Sequence, residues 1–290
     1  MKSQTGKAII ICLVTAALLF LLAACAESSP VPGSSSERSS GSPGAVSAVP
    51  EDGSSSAAEA AGRGPESLEL TLATLNIKHG AEGPEKIAAA IREISPDIIG
   101  LEEVDVNCER SGNTDEPAIL AELAGYPYYA FAKAIPLGSG EYGTAILSRY
   151  PIESFEVTPL DSGNGEDRSV GHAVILAEGI RLDVFVTHLS FEDRLVRISQ
   201  MKTIAGMLKR CDTYILLGDL NSFNIEDIAY LDAAYYVNRT DRRYQTFWRF
   251  NSSPDNIVLS EGFTELSSGT SEEKCSDHKL LYGSFRLTFN

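Results

Sequence analysis

Polar side chains able to hold a metal ion or a phosphate stand where the apolar runs of this sequence end. Asn76 closes LELTLATLN, and Glu102, Glu103 and Asp105 close the next run. His188 closes VFVTH, and Asp219 and Asn221 close ILLGDLN. Asp255 and Asn256 open DNIVLS, and Asp277 and His278 precede the last apolar run. Singly these are weak signals, because an Asp or Asn after a strand is usually a turn former. Their order is the informative feature. The chain has 4 histidines; His188 and His278 fall in the series, and His79 lies close after Asn76. Strand ends on one rim of a sandwich can converge on one pocket while the strands fix their geometry.

The elements that must position these groups follow from periodicity and punctuation. Residues 68–76 alternate and read as a strand. Gly83-Pro84 opens a helix that carries Ile87, Ile91 and Ile94 on one face and closes at Pro96. Residues 97–104 read as a buried strand, 118–124 as a short helix and 144–147 as a strand before the turn Tyr150-Pro151. Segments 173–177 and 182–187 form a strand pair joined by Glu178-Gly179. Helical spacing covers 194–209, and strands follow at 213–217, 256–259 and 281–287, with no internal repeat. Many strands with few helices between them predict an α+β fold, two sheets packed face to face with helices outside.

The segments LNIKHG, IIGLEEVD, EYGTAILSRYPI, THLS, LLGDLNS, PDNIVLS and SDHKLL resemble the endonuclease/exonuclease/phosphatase superfamily, the DNase I-like metal-dependent phosphoesterases. The resemblance spans about residues 70–285 and implies a four-layer α/β sandwich, two mixed sheets flanked by helices. It implies that Glu103 binds a divalent metal, that Asn76 helps build that site, and that Asp277 is an outer or second-site ligand. Carboxylate and amide oxygens are hard ligands suited to Mg²⁺ or Mn²⁺. No His/Cys cluster has zinc spacing. By the same resemblance Asp219 orients and deprotonates the attacking water, and Asn221 holds that water or a phosphoryl oxygen. His188 and His278 donate to phosphate oxygens as charge builds, and Asp255 holds the His278 ring and keeps it protonated. The implied reaction is in-line hydrolysis of a phosphate ester.

Other positions keep two readings. Glu102 stands where the family often has Gln and reads as a solvated or supporting acid. Tyr142 resembles a position that touches phosphate, and core packing is its other reading. Arg168 counters phosphate charge or pairs with Glu166 or Asp167; Arg110, in RSGNTD, binds an anionic substrate or caps a loop. Between GDLN and PDN, residues 222–254 interleave aromatics (Phe223, Tyr230, Tyr235, Tyr236, Tyr244, Phe247, Trp248 and Phe250) with four arginines, Arg239, Arg242, Arg243 and Arg249. The preferred reading is local packing; the other is a lip that stacks on a base, sugar or lipid head group. PDN replaces the commoner IDY or IDH, and Lys78 stands where some relatives carry an acid.

The rest of the chain bounds location and partners. A 290-residue chain that is 43% apolar and 22% charged excludes wholesale disorder, collagen and a polytopic membrane protein. Lys2 and Lys7 precede an apolar run over 8–24 that ends Leu22-Ala23-Ala24-Cys25. That run resembles a bacterial lipoprotein signal with Cys25 acylated; an uncleaved transmembrane anchor is the alternative. Residues 1–25 are thus the expected signal, 26–66 a disordered Ser/Gly/Pro-rich tether, and 67–290 the catalytic domain, lipid-anchored in the cell envelope outside the cytoplasmic membrane. Cys108, Cys211 and Cys275 remain, enough for at most one bridge, and read as small hydrophobes. The net charge is −16, and removing residues 1–65 leaves the domain 20 basic against 35 acidic groups. So acidic a domain lacks a strong nucleic-acid track. The expected partners are a phosphate-ester substrate and the bilayer, with the domain a monomer. The expected function is hydrolysis of phosphodiester or phosphomonoester bonds of a small molecule or lipid head group. A secreted nuclease of the same chemistry and a non-catalytic binding lipoprotein are the alternatives.

Overall fold

The computed structural model describes residues 46–48, 66–250 and 252–289, all within the unit Ser42–Asn290. The expected signal, Cys25 and most of the tether lie outside the described residues. In chain order the elements are β1 Val46–Ala48, β2 Ser67–Asn76, α1 Pro84–Ile94, β3 Ile98–Val106, α2 Glu116–Ala124, β4 Tyr128–Leu137, β5 Gly140–Ser148, β6 Ile152–Leu160 and β7 Arg168–Ala177. After these come β8 Ile180–His188, α3 Arg194–Leu208, β9 Tyr214–Asp219, β10 Tyr235–Tyr236, β11 Asp255–Leu259, β12 Phe263–Thr270 and β13 Leu281–Thr288. Short 3₁₀ turns occupy Glu109–Ser111 and Ile225–Leu231.

Two parallel pairs organise the sheets. One sheet runs β1-β4-β5-β3-β2-β13-β12, the other β10-β11-β9-β8-β7-β6. Among the described residues only β2 with β3 and β8 with β9 are parallel; each pair needs a crossover, supplied by α1 and α3 respectively. The register sets Asn76 opposite Glu102 in one sheet and His188 opposite Asp219 in the other. Both pairs therefore end with polar residues at the same strand termini.

Helix limits follow local chemistry. Pro84 occupies the first turn of α1, and Ser95 ends it in the left-handed conformation with its N–H on Ile91 O. Asp115 caps α2 by accepting from Ala118 N at 3.1 Å, so that helix begins slightly earlier than its apolar spacing predicts. Asp193 caps α3 through the N–H groups of Leu195 and Val196. Ile87, Ile91 and Leu120 pack on Leu75 and Leu101, outside the first sheet. Met201, Ile204 and Leu208 pack on Phe185 and Leu216, outside the second. Leu72, Ile98 and Ile146 meet Val184, Val186 and Leu217 between the sheets. The result is the four-layer sandwich. Cys108, Cys211 and Cys275 are free thiols.

The sheets approach closely at Gly100. A Cβ there would lie 2.8 Å from Leu217 Cβ and 3.1 Å from Val186 Cγ2. Gly100→Ala is expected to cost about 1–3 kcal/mol through overpacking, read as a lower denaturant midpoint at unchanged slope. An unchanged midpoint would mean that the sheets have room to spare.

Candidate active site

Asn76 ties the two sheets together at their polar rim. Its buried amide Nδ2 donates to Glu103 Oε1 at 2.9 Å and to Asp219 Oδ2 at 3.2 Å. Simple alternation would send Glu102 and Glu103 to opposite faces. The β3–β5 register instead breaks between Leu101 and Val104, and Glu103 adopts φ 55°. Such a bulge costs conformational energy and re-aims side chains, a device frequent beside active sites. Here it lets both acids serve the rim: Glu102 accepts from Thr74 Oγ1 at 2.7 Å, and Glu103 meets Asn76. The loop after β2 latches onto the bulge, with Ile77 N on Glu102 O and His79 N on Glu103 O.

Asp219 is the hub of the second sheet. Its Oδ1 accepts from Asn221 N at 2.9 Å. Its Oδ2 lies 3.6 Å from His188 Nε2 and 3.8 Å from His278 Nε2. Asn221, at φ 48°, donates from Nδ2 to Leu189 O at 2.9 Å and faces His188 Nε2 at 2.9 Å. Asp255 pairs in register with Asp219 and grips His278 Nδ1 with both oxygens, at 2.9 and 3.2 Å. Asn238 Nδ2 holds the Asp255 carbonyl at 2.8 Å.

Protons distribute unequally. Burial works against the His278 imidazolium, but Asp255, then Asp219 and Asp277, outweigh it and raise the ring to about 10. His188 goes the other way: burial, then Arg168 and His278, hold it well below its ordinary value. Its Nδ1 faces Arg168 Nη1 at 3.2 Å and its Nε2 faces the Asn221 amide nitrogen. A neutral ring can accept at one of these nitrogens and a protonated ring at neither, so the contacts work with burial against the charged form. The two histidines thus sit in opposed environments, His278 favoured in its charged form and His188 in its neutral one. Burial, then Asp255, raise Asp219, which makes it a stronger base than an ordinary carboxylate. Burial, then Asp255, also push Glu102 well above the carboxylate range. Protonated, it offers one donor and one acceptor, as Gln would. It is fully buried, a supporting acid rather than a solvated one.

The remaining expected residues separate into groups. Tyr142 is buried beside Arg168 and His188 and lines the same narrow recess. Arg168 is buried, pairs with Glu166 at 2.9 Å rather than with Asp167, and keeps its Nε without a partner. Arg110 forks onto the buried Asp105 with two 2.8 Å bonds and stacks over the Tyr142 ring. That fork is the loop-anchoring alternative, and it neutralises the guanidinium. Asp277, expected as an outer ligand, faces Lys78 Nζ at 2.9 Å, so an ammonium occupies the place that an acid holds in some relatives. Sequence reasoning missed Glu116, whose buried carboxylate accepts from Asp105 N at 2.7 Å and which burial pushes up to about 7. Nothing in the local pattern marks Glu116. Phe247, from the aromatic stretch read as local packing or a stacking lip, brings its ring to 4.8 Å from His278.

The donor set fits a hard divalent ion at Glu103. The Asn76 amide touches Glu103 at 2.9 Å and links it to the Asp219 carboxylate. Asn76 Oδ1 accepts from Lys78 N at 3.0 Å and keeps a second lone pair. Asp219, Asp255 and His278 also lie close enough to cage an ion. In that group Asp255 takes up His278 Nδ1 at 2.9 Å, which leaves Nε2 facing Asp219. A separate group, His172, Asp183 and Cys211, sits near the other end of β8, where His172 Nε2 and Asp183 satisfy each other at 2.7 Å.

A family model described as Endonuclease/Exonuclease/phosphatase family matches residues 73–278. The chain belongs to that family, whose members hydrolyse phosphoester bonds. The uncharacterized protein YbhP of Escherichia coli (strain K12) is 26% identical over 145 residues, 46% of this chain and 57% of YbhP. The chain thus spans little more than half the length of that curated relative. An endonuclease/exonuclease/phosphatase from Beutenbergia cavernae DSM 12333 is 22% identical at TM-score 0.65, covering 76% of this chain and 72% of its own. The mannosyl-6-phosphatase of Bacteroides thetaiotaomicron VPI-5482 is 17% identical at TM-score 0.58, covering 74% of this chain and 99% of its own. Both likenesses are of fold.

Proposed function

We propose that this chain is a Mg²⁺- or Mn²⁺-dependent phosphoesterase that cleaves a phosphodiester or phosphomonoester of a small molecule or lipid head group. It works outside the cytoplasmic membrane, held there by an acyl chain on Cys25. One observation carries the catalytic reading: a buried carboxylate, Asp219, stands within 4 Å of the His278 ring, which Asp255 holds toward its charged form, beside Asn76, Asn221 and Glu103. Base and acid with opposed environments on one rim suit P–O cleavage.

Asp219 Oδ2 takes a proton from the attacking water, and Asn221 orients that water or a phosphoryl oxygen. His278 Nε2–H donates to a non-bridging oxygen as charge builds, a bond prepaid by Asp255. Asn76 keeps Glu103 and Asp219 at fixed separation. A divalent ion held by Glu103 and Asn76, when bound, supplies Lewis-acid stabilisation of the same charge. Arg168 and Tyr142 line the wall behind His188.

The nuclease reading shares this chemistry but needs a cationic track, and the domain carries an acidic excess. A mannosyl-6-phosphatase with the same fold supports small phosphate esters as substrates. Hydrolysis of bis(4-nitrophenyl) phosphate and of supercoiled plasmid, each with Mg²⁺ or Mn²⁺, tests the choice. Turnover of the small ester with feeble nicking is expected, and EDTA should abolish it. Efficient nicking that weakens steeply with salt would favour the nuclease. Palmitate labelling that disappears in Cys25→Ala tests the anchor; label retained elsewhere would refute it.

A further inference from the structure

Beside the catalytic rim, between the turn after β9 and the chain returning to β11, lies a cavity of about 470 Å³. Ser222, Phe223, Arg243, Gln245, Phe250 and Ser253 line it. Both walls continue into catalytic residues. Ser222 follows Asn221, and Ser253 precedes Pro254-Asp255; Leu220 N donates to Pro254 O at 2.9 Å across the gap. Phe247 braces the outer wall, with its N–H on Ser252 O and its ring 5.7 Å from Phe250 and 4.8 Å from His278. The cavity walls thus run directly into Asn221 and Asp255 along the chain, and Phe247 links its outer wall to the His278 ring.

The lining states what that group is. Most aromatics of residues 222–254 are engaged, as the local-packing reading expects. Tyr244 Oη donates to Ser268 O, Tyr236 Oη accepts from Ala233 N, and Trp248 lies under the Lys279 ammonium at 4.4 Å. Phe223 and Phe250 are not so engaged, at 54% and 71% exposed. Single exposed apolar residues are ordinary. Two at the mouth of one cavity beside the chemistry offer apolar contact to a ligand. The arginines divide in the same way. Arg239 pairs with Asp241 and Arg242 with Glu265, whereas Arg243 has no acidic partner among the described residues. In a chain of net charge −16, an unneutralised guanidinium on a cavity wall selects for an anion.

We infer that this cavity is the substrate-selecting pocket, taking an organic group with an apolar face and a second negative charge, held by Phe223, Phe250 and Arg243. The inference rests on the phosphoesterase reading and deepens it. Phosphonates test it, since their P–C bond resists hydrolysis and their head group takes the phosphate position. Methyl-, phenyl-, hexyl- and 3-carboxyphenylphosphonate are compared as inhibitors of bis(4-nitrophenyl) phosphate hydrolysis. Phenyl or hexyl should bind about ten-fold tighter than methyl, by apolar burial. Whichever is tighter distinguishes a flat ring from a flexible chain as the natural apolar group. The carboxylate should add roughly another ten-fold. Arg243→Gln should erase only the carboxylate gain, and Phe223→Ala with Phe250→Ala the apolar gain. Inhibition constants within about two-fold across the series would overturn the pocket. So would substitutions that weaken every phosphonate, methyl included, by one factor. Should wild type fail to turn over the ester, the activity itself is refuted, and calorimetric titration with the same phosphonates still decides the pocket.

Discussion

Asp219→Asn is expected to lower kcat/KM for bis(4-nitrophenyl) phosphate by about a thousand-fold while the protein becomes more stable at neutral pH. The amide keeps the shape of the carboxylate and its oxygen can still accept from Asn221 N, but its NH2 then faces the Asn76 Nδ2 donor, which offsets part of the stability gain, and it cannot take a proton. The stability gain follows from linkage. Burial, then Asp255, raise the folded-state pKa of Asp219 above its ordinary 3.8, so ionisation opposes folding. That penalty is absent at low pH and grows as pH rises through the raised value. An uncharged amide avoids it. Kinetics and urea midpoints at pH 7 check both halves. A variant that keeps its rate, or loses both rate and stability, would contradict the assignment of Asp219 as a strained base.

Asp255→Asn should move the alkaline limb of the activity profile from near 10 down to roughly the ordinary histidine value or below. Burial alone drives His278 downward; Asp255 is the largest group raising it to about 10 from 6.5. Without that carboxylate the buried ring sheds its proton at neutral pH and no longer donates to the phosphate. The stability consequence has the opposite sign to that of Asp219. A histidine whose pKa is raised on folding contributes fully below 6.5, and the contribution is lost as pH rises through about 10. Wild type should therefore lose stability between those limits, and the variant should show a flatter profile there. Urea midpoints and kcat/KM measured across the window read both. An unchanged alkaline limb in Asp255→Asn would remove Asp255 as the positioning residue of His278.

Much of this was legible in the chain because the central strands are apolar and end abruptly. Residues 182–187 and 213–217 sit in the parallel core, where burial on both faces writes an apolar run, and residues 68–76 alternate because the first half of β2 is exposed on one face. The strands left unread lie toward sheet margins. β4, YYAFAKAIPL, is poor in β-branched residues and holds Pro136 and a bulge at Lys133/Ile135. β6 and β12 are edge strands, one with Pro159 and the other the polar FTELSSGT. The site was legible as residue types but not as pairings. Alternation gives no hint of the Glu103 bulge, and no spacing rule joins Lys78 to Asp277 or Arg110 to Asp105. Those contacts form only when the loops at the rim of the first sheet meet. The surroundings that lower His188 are likewise a product of assembly, since Arg168 and Asn221 reach its ring from β7 and from the turn after β9.

The central claim is that Glu103 holds a divalent ion on the rim shared with Asp219 and His278. The direct test is the Mg²⁺ and Mn²⁺ dependence of bis(4-nitrophenyl) phosphate hydrolysis by wild type and Glu103→Gln. Wild type should be inactive after chelation and saturate with added metal, and Glu103→Gln should need at least about ten-fold more metal for half-activation. Full activity in chelated wild type, or the same metal dependence in both proteins, would contradict the account.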